Sequence, residues 1–250
     1  MKGVAVVSVI AAMGFASGVQ AGDDISFMAD MVQQGPQGQV AHKLFVDKKK
    51  SRMEMVQNGQ QIVQIVDMER QLVWILNPSQ KNYMEVKPEG PLSAMPQTAG
   101  KDPCAGLSGA TCKQLGEETL SGRKVVKWEV HVPVEGQNLT AYEWVDAERG
   151  TPLRRESSMG NMEMRLLDTE KLNGRTVEKW EVTATRPQQP PIKMLRWFDP
   201  ILKFSVKQEL PGGMMTELKN IQEGPQPASL FSLPAGYAKV ALPQGMPPAH

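Results

Sequence analysis

The chain has 250 residues, with 28 Lys and Arg against 27 Asp and Glu, a formal net charge of +1, two cysteines and 16 methionines. A near-neutral chain without a long basic block lacks the electrostatic footprint that a phosphate backbone requires, so nucleic acid is excluded as a partner. Lys48-Lys49-Lys50, the one basic run, reads as a solvated turn.

Met1-Lys2, the apolar run Val4 to Phe15 and Ala16-Ser17-Gly18-Val19-Gln20-Ala21 have the three parts of a secretion signal. Small residues precede a cleavage point after Ala21, so residues 1–21 are expected to be removed and 229 of the 250 to remain. The alternatives are a buried core helix or an uncleaved anchor, but a run of about a dozen apolar residues falls short of the ~20 that span a bilayer. No cysteine at the cleavage point offers a lipid anchor.

Residues 22–240 are expected to form a mainly β domain, and the first strand group occupies 22–90. Gln61-Ile62-Val63-Gln64-Ile65-Val66 and Gln71-Leu72-Val73-Trp74-Ile75-Leu76 have strand length and β-branched or apolar content. Asp47-Lys48-Lys49-Lys50 and Asp67-Met68-Glu69-Arg70 follow strand-like runs ending in Val, and aspartate caps a turn's backbone N–H groups. Asn58-Gly59 adds a hairpin signal. Such short connections imply antiparallel neighbours.

Residues 91–113, rich in Pro, Gly, Ser and Ala, read as a crossover within one domain, with an interdomain linker as the alternative. Cys104 and Cys112 fall in this segment. In an exported chain a close even pair reads as a structural disulfide, and the spacing is wrong for a Cys-x-x-Cys redox site. Short helices are expected near Pro103 to Leu107 and over Pro227 to Phe231.

A tandem repeat follows, 114–170 and 171–240. Leu120-Ser121-Gly122-Arg123-Lys124-Val125-Val126-Lys127-Trp128-Glu129-Val130 matches Leu172-Asn173-Gly174-Arg175-Thr176-Val177-Glu178-Lys179-Trp180-Glu181-Val182 at an offset of 52. Trp144-Val145-Asp146 matches Trp197-Phe198-Asp199, and Arg154-Arg155-Glu156 matches Lys207-Gln208-Glu209, both at 53. A unit of about 50 residues makes four strands, too few to enclose a core, so each unit should continue its neighbour's sheet. Gly212-Gly213 and Glu135-Gly136 mark further hairpins, and residues 241–250 read as a disordered tail.

The catalytic inventory is poor. His42, His131 and His250 are the only histidines, and the second repeat carries Thr183 where the first has His131. No nucleophile elbow, P-loop or zinc spacing is present, so neither an enzyme nor a metal or cofactor site is expected. Methionine stands out instead: Met53-Glu54-Met55, Met162-Glu163-Met164 and Met214-Met215 recur at strand spacing. Thioethers adapt an apolar pocket to varied ligands, and in an oxidising compartment they also bind Cu(I), the weaker reading here. Plain core packing is the alternative to both.

Tyr142-Glu143-Trp144-Val145-Asp146, with Pro152-Leu153-Arg154-Arg155-Glu156 following, resembles the LolA/LolB-type periplasmic proteins of outer-membrane lipoprotein sorting. Phe27-Met28-Ala29-Asp30-Met31, Trp74-Ile75-Leu76-Asn77-Pro78 and Leu230-Phe231-Ser232-Leu233-Pro234 are similar to the same group. The resemblance covers most of the mature chain in patches, and the duplicated unit and cysteine loop place it nearer the uncharacterised relatives than the carriers. It implies a periplasmic, non-enzymatic protein built on a curved antiparallel sheet, an incomplete half-open barrel with a few short helices. Its apolar cavity would hold a lipid or the acyl chains of a lipoprotein. The candidate lining is Phe27, Met31, Met53, Met55, Trp74, Trp144, Met162, Met164 and Trp197. The same fold class also serves envelope-stress sensors that bind a membrane-protein partner, which is the alternative function.

Overall fold

The computed structural model describes residues 25–36, 38–87, 102–104, 109–134 and 137–241. The leader, the tail beyond 241, the Glu135-Gly136 tip and the segment 105–107 of the expected first helix lie outside the described residues.

The chain is mainly β. Six strands come first: β1 (Ser26–Gly35), β2 (Gly38–Asp47), β3 (Lys50–Gln57), β4 (Gln60–Asp67), β5 (Leu72–Asn77) and β6 (Asn82–Val86). Nine follow the crossover: β7 (Thr111–Leu120), β8 (Arg123–Val134), β9 (Gln137–Asp146), β10 (Pro152–Ser157), β11 (Gly160–Leu172), β12 (Arg175–Thr185), β13 (Ile192–Asp199), β14 (Phe204–Leu210) and β15 (Met214–Glu223). A 3-10 helix, Ala228–Phe231, and a two-residue strand β16, Ala238–Lys239, end the described chain. The helix lies where the sequence predicts one.

All sixteen strands form one curved, open sheet in the order β16-β6-β5-β4-β3-β2-β1-β15-β14-β13-β12-β11-β10-β9-β8-β7. Every pairing is antiparallel except that of β16 on β6. Two-residue turns set several registers. Asn58-Gly59, Ser121-Gly122 and Asn173-Gly174 each place both residues at positive φ, between 49° and 80°. That is what a tight hairpin needs to match the twist of its strands.

Alternate connections define two rims. On one rim, three strands end in a buried aspartate that closes the following turn. Asp67 accepts from Arg70 N–H at 3.0 Å, Asp146 from Glu148 and Arg149 N–H at 2.9 and 3.0 Å, and Asp199 from Ile201 and Leu202 N–H, both at 2.9 Å. Arg123 also pairs with Asp146, and Arg175 with Asp199, at equivalent places in the two repeats. Burial pushes the Asp146 carboxyl up, but Arg123 and the two turn amides outweigh it and hold the group below its ordinary value.

No described helix other than the 3-10 turn packs across the sheet, so the core forms from the sheet itself. The ladders explain how. β10 pairs with β11 only over Arg154–Ser157, and β14 with β15 only over Lys207–Leu210. Beyond those residues, toward the aspartate rim, the strands separate. There one face of β8–β10 closes over the opposite face of β11–β13, burying Val125, Trp144 and Leu153 with Met164, Trp180 and Val182. The second repeat does the same: Val177, Trp197 and Val206 from β12–β14 join Phe27, Ala29, Met31 and Leu218. Phe27 and Phe204 meet edge to face, 5.2 Å between ring centroids. Arg149 clamps Glu178 of β12 at 2.6 and 2.8 Å, and the Arg123 guanidinium lies 5.9 Å from the Trp180 ring. Arg123 and Trp180 are four strands apart in the sheet, about 19 Å if it were flat. The overlap begins at the hairpins after β10 and β14, and the expected 170/171 boundary lies within β11 (Gly160–Leu172).

Cys104 and Cys112 form a disulfide with Cα atoms 5.8 Å apart, tying residues 102–104 to β7 at the edge of the sheet.

Two stability measurements follow. Asp146→Ala leaves Arg123 and two turn amides without their acceptor and should cost roughly 3–5 kcal/mol in urea unfolding. Ser121→Asn, which gives the first repeat the residue of the second at a left-handed position, should raise stability by about 0.5–1 kcal/mol.

Candidate functional site

Directly opposed residues on neighbouring strands point to the same face, so the ladders settle which candidate side chains share one. Toward the rim opposite the aspartates the sheet is continuous from β6 to β7. One row runs Leu166–Trp180–Arg196–Gln208–Thr216–Gln33 and another Trp128–Glu143–Arg155–Met162–Ala184. On that same face lie Met31 beside Leu218, Met53 between Leu44 and Gln64, Met55 opposite Ile62, and Met164 and Met194 on either side of Val182. Phe27 shares it too, by strand alternation.

Six of the nine predicted lining residues, Phe27, Met31, Met53, Met55, Met162 and Met164, therefore occupy one face. Trp74, Trp144 and Trp197 occupy the other. Trp74 aligns with Arg52, Ile65 and Glu85 and is covered by Phe231 of the 3-10 helix, which Arg52 anchors through Leu230 O at 3.0 Å. Alternation along a strand separates faces but does not label them. The face of the methionines instead carries Trp128 and Trp180, which sequence reasoning passed over because they sit inside the repeat and read as packing.

Trp144 and Trp197 have a structural explanation. Lys127 and Arg154 lie 4.6 and 4.8 Å from the Trp144 ring, one from each adjacent strand. Lys179 and Lys207 flank Trp197 in the same way at 5.0 and 4.3 Å. The indole N–H groups donate to Glu118 and Glu170. Each ring is a buried plate between two cations, in a place the overlap covers.

The methionine face is not uniformly apolar. Glu143 is buried and accepts from Arg155 Nε at 2.7 Å. Arg196 lies partly buried between Trp180 and Gln208, and burial pulls its guanidinium below the ordinary value. Trp128 Nε1 and His42 Nδ1 are buried without a hydrogen-bond partner among the described residues. Met55, Met162 and Met194 are only partly buried. The surface thus offers the thioethers of Met55, Met162 and Met194 and the indole of Trp128, with a few polar groups among them, which suits an amphipathic ligand. For Cu(I), Met164 and Met194 share a cross-strand row but have Val182 between them, about 10 Å apart at the backbone. Asp102 lies beside both sulfurs of the disulfide, which bond each other, and accepts from Cys104 N–H at 2.9 Å.

A family model described as a domain of unknown function, DUF4412, matches residues 28–145. No curated protein sequence matches the chain. Among solved structures the chain is similar to a LolA superfamily protein from Nitrosomonas europaea, with 11% identity over 84% of this chain and 90% of that one, at a TM-score of 0.38. A putative outer membrane lipoprotein-sorting protein domain from Vibrio parahaemolyticus matches with 12% identity over 86% and 92%, at 0.33. MucB matches with 12% identity over 82% and 89%, at 0.24.

His42 gives this face a pH signature. Its Nε2 lies 3.2 Å from Gln33 Oε1, and desolvation holds its pKa below 6.5. A proton on the buried Nδ1 would meet no acceptor. The neutral ring is the folded form, so the stability tied to it is complete above pH 6.5 and is lost as pH falls through the folded value. Thermal melts across that window should decline for the native chain and decline less for His42→Gln.

Proposed function

We propose that this chain is an exported, non-enzymatic periplasmic protein that holds a lipid or lipidated ligand in the curve of its half-open sheet. The observation that carries the reading is that the partly buried Met55, Met162, Met194 and Trp128 lie on one face, continuous with the buried Met31, Met53, Met164 and Trp180 of the same face. Toward the rim away from the aspartates this face is only partly buried, and its methionines can repack around an acyl chain without loss of strand register. Arg196, and Arg155 beside its partner Glu143, place guanidinium groups on this face that can donate to a carboxylate or phosphate at the end of such a chain. A role in outer-membrane lipoprotein sorting fits a protein of this kind.

Native mass spectrometry of chain purified from a periplasm should show lipid-sized mass increments, and the delipidated chain should bind a fluorescent fatty acid. Met162→Gln combined with Met194→Gln keeps side-chain length and should weaken that binding about 10-fold through the added polarity. A bare mass together with no binding of the probe would rule the reading out.

A further inference from the structure

The two rims differ in chemistry. The aspartate rim carries Asp47, Lys48, Lys49, Asp67, Glu69, Arg70, Asp146, Glu148, Arg149 and Lys203 in its turns. The other rim carries a nearly uncharged stretch. Five consecutive hairpins form that stretch: β10–β11, β12–β13, β14–β15, β1–β2 and β3–β4; the next along, β5–β6, has Lys81 in its turn, and the β8–β9 tip lies outside the described residues. Their described tips read Ser157-Ser158-Met159-Gly160, Arg186-Pro187-Gln188-Gln189-Pro190-Pro191, Leu210-Pro211-Gly212-Gly213, Gln34-Gly35-Pro36 with Gly38, and Gln57-Asn58-Gly59-Gln60, in which Arg186 is the one ionisable residue.

Each of these hairpins also presents one large apolar side chain to solvent. Met159 is 67% exposed, Ile192 42%, Met214 48%, Val40 51% and Val56 67%. Among the described residues the aspartate rim has a single equivalent, Ile201 at 73%, among charged neighbours. Water-exposed apolar groups at five successive tips and nowhere else in that density are not explained by packing, because none contributes to a buried cluster.

We infer that this rim docks on a lipid bilayer surface, its apolar tips entering the headgroup region while the charged rim points to water. Successive hairpins are two strands, about 10 Å, apart. Such tips form a spaced row. A folded protein partner would need matching relief, whereas a bilayer accommodates each side chain separately. The scarcity of charge on these five tips, Arg186 alone, matches a zwitterionic headgroup layer: Gln, Asn, Ser and Gly can exchange hydrogen bonds there without desolvating an ion. The inference goes beyond the ligand reading and stands without it, because it concerns the rim and not the sheet face.

The test is flotation of the full chain with vesicles of phosphatidylcholine and phosphatidylethanolamine. The chain should float, and equally well at low and high salt, because no ion pairing is involved. Ile192→Asp and Met214→Asp, each at an exposed position, should lower the bound fraction about 10-fold, the loss of one apolar insertion. Ile201→Asp on the other rim should leave it unchanged. Circular-dichroism melts confirm that each variant is folded, and fatty-acid binding measured without vesicles separates this result from the ligand reading. A chain that stays in the aqueous fraction, floats regardless of the tip substitutions, or is released by salt overturns the inference. Failure to float with capture of an envelope protein would likewise overturn it and make the rim a protein interface.

Discussion

A sheet that carries no layer of helices has to bury its own faces. Here sixteen strands do so by breaking their own ladders: the pairing between β10 and β11, and again between β14 and β15, stops partway, and the freed ends slide over the next strands. Most of the fold follows from those two interruptions. They put Val125, Trp144 and Leu153 against Trp180, and Val177, Trp197 and Val206 against Phe27 and Leu218, so one core becomes several joined clusters.

The charged groups at the aspartate rim make that overlap specific. Backbone amides freed at the turns would be unsatisfied beneath overlapping strands, and Asp146 and Asp199 accept from them. Arg149 then reaches across to Glu178, and Arg175 to Glu223 at 2.7 Å, fixing how far one unit slides over the next. The cation-flanked Trp144 and Trp197 are the flat spacers between the layers. The other rim needs none of this, since its hairpins pair to their ends. Its loops are therefore free to vary in composition.

Much of this was legible in the sequence, and the rest failed for identifiable reasons. Turn residues announced themselves: Asn58-Gly59 and Asp67 each act as their chemistry requires. The 52- and 53-residue offsets foretold equivalent partners such as Arg123–Asp146 and Arg175–Asp199. The candidate site was half legible. Methionines two apart on one strand share a face by alternation, so Met53 with Met55 and Met162 with Met164 fall together. Tryptophans on separate strands carry no such constraint, because register depends on where bulges fall, as at Trp197/Phe198 and Pro152/Arg154. The overlap itself has no local signature, since a shortened ladder is a property of two strands together.

The strand order also constrains how such a chain reaches its final form. β6 lies toward one edge and β7 forms the other, while β1 finds its partner in β15, so that Asp30 meets Asn220 across 190 residues of chain. The middle of the sheet is thus its last seam to close. Until β15 has folded, β1 stands as an open edge, and a chain cut short before β15 would keep that edge bare and ready to pair with another copy. Loop closure over such a distance is slow, whereas the Cys104–Cys112 link joins neighbours and can form at once. Folding of this protein is therefore a race between a distant seam and edge-to-edge aggregation, and it favours keeping the chain apart from its copies until its last long strand arrives.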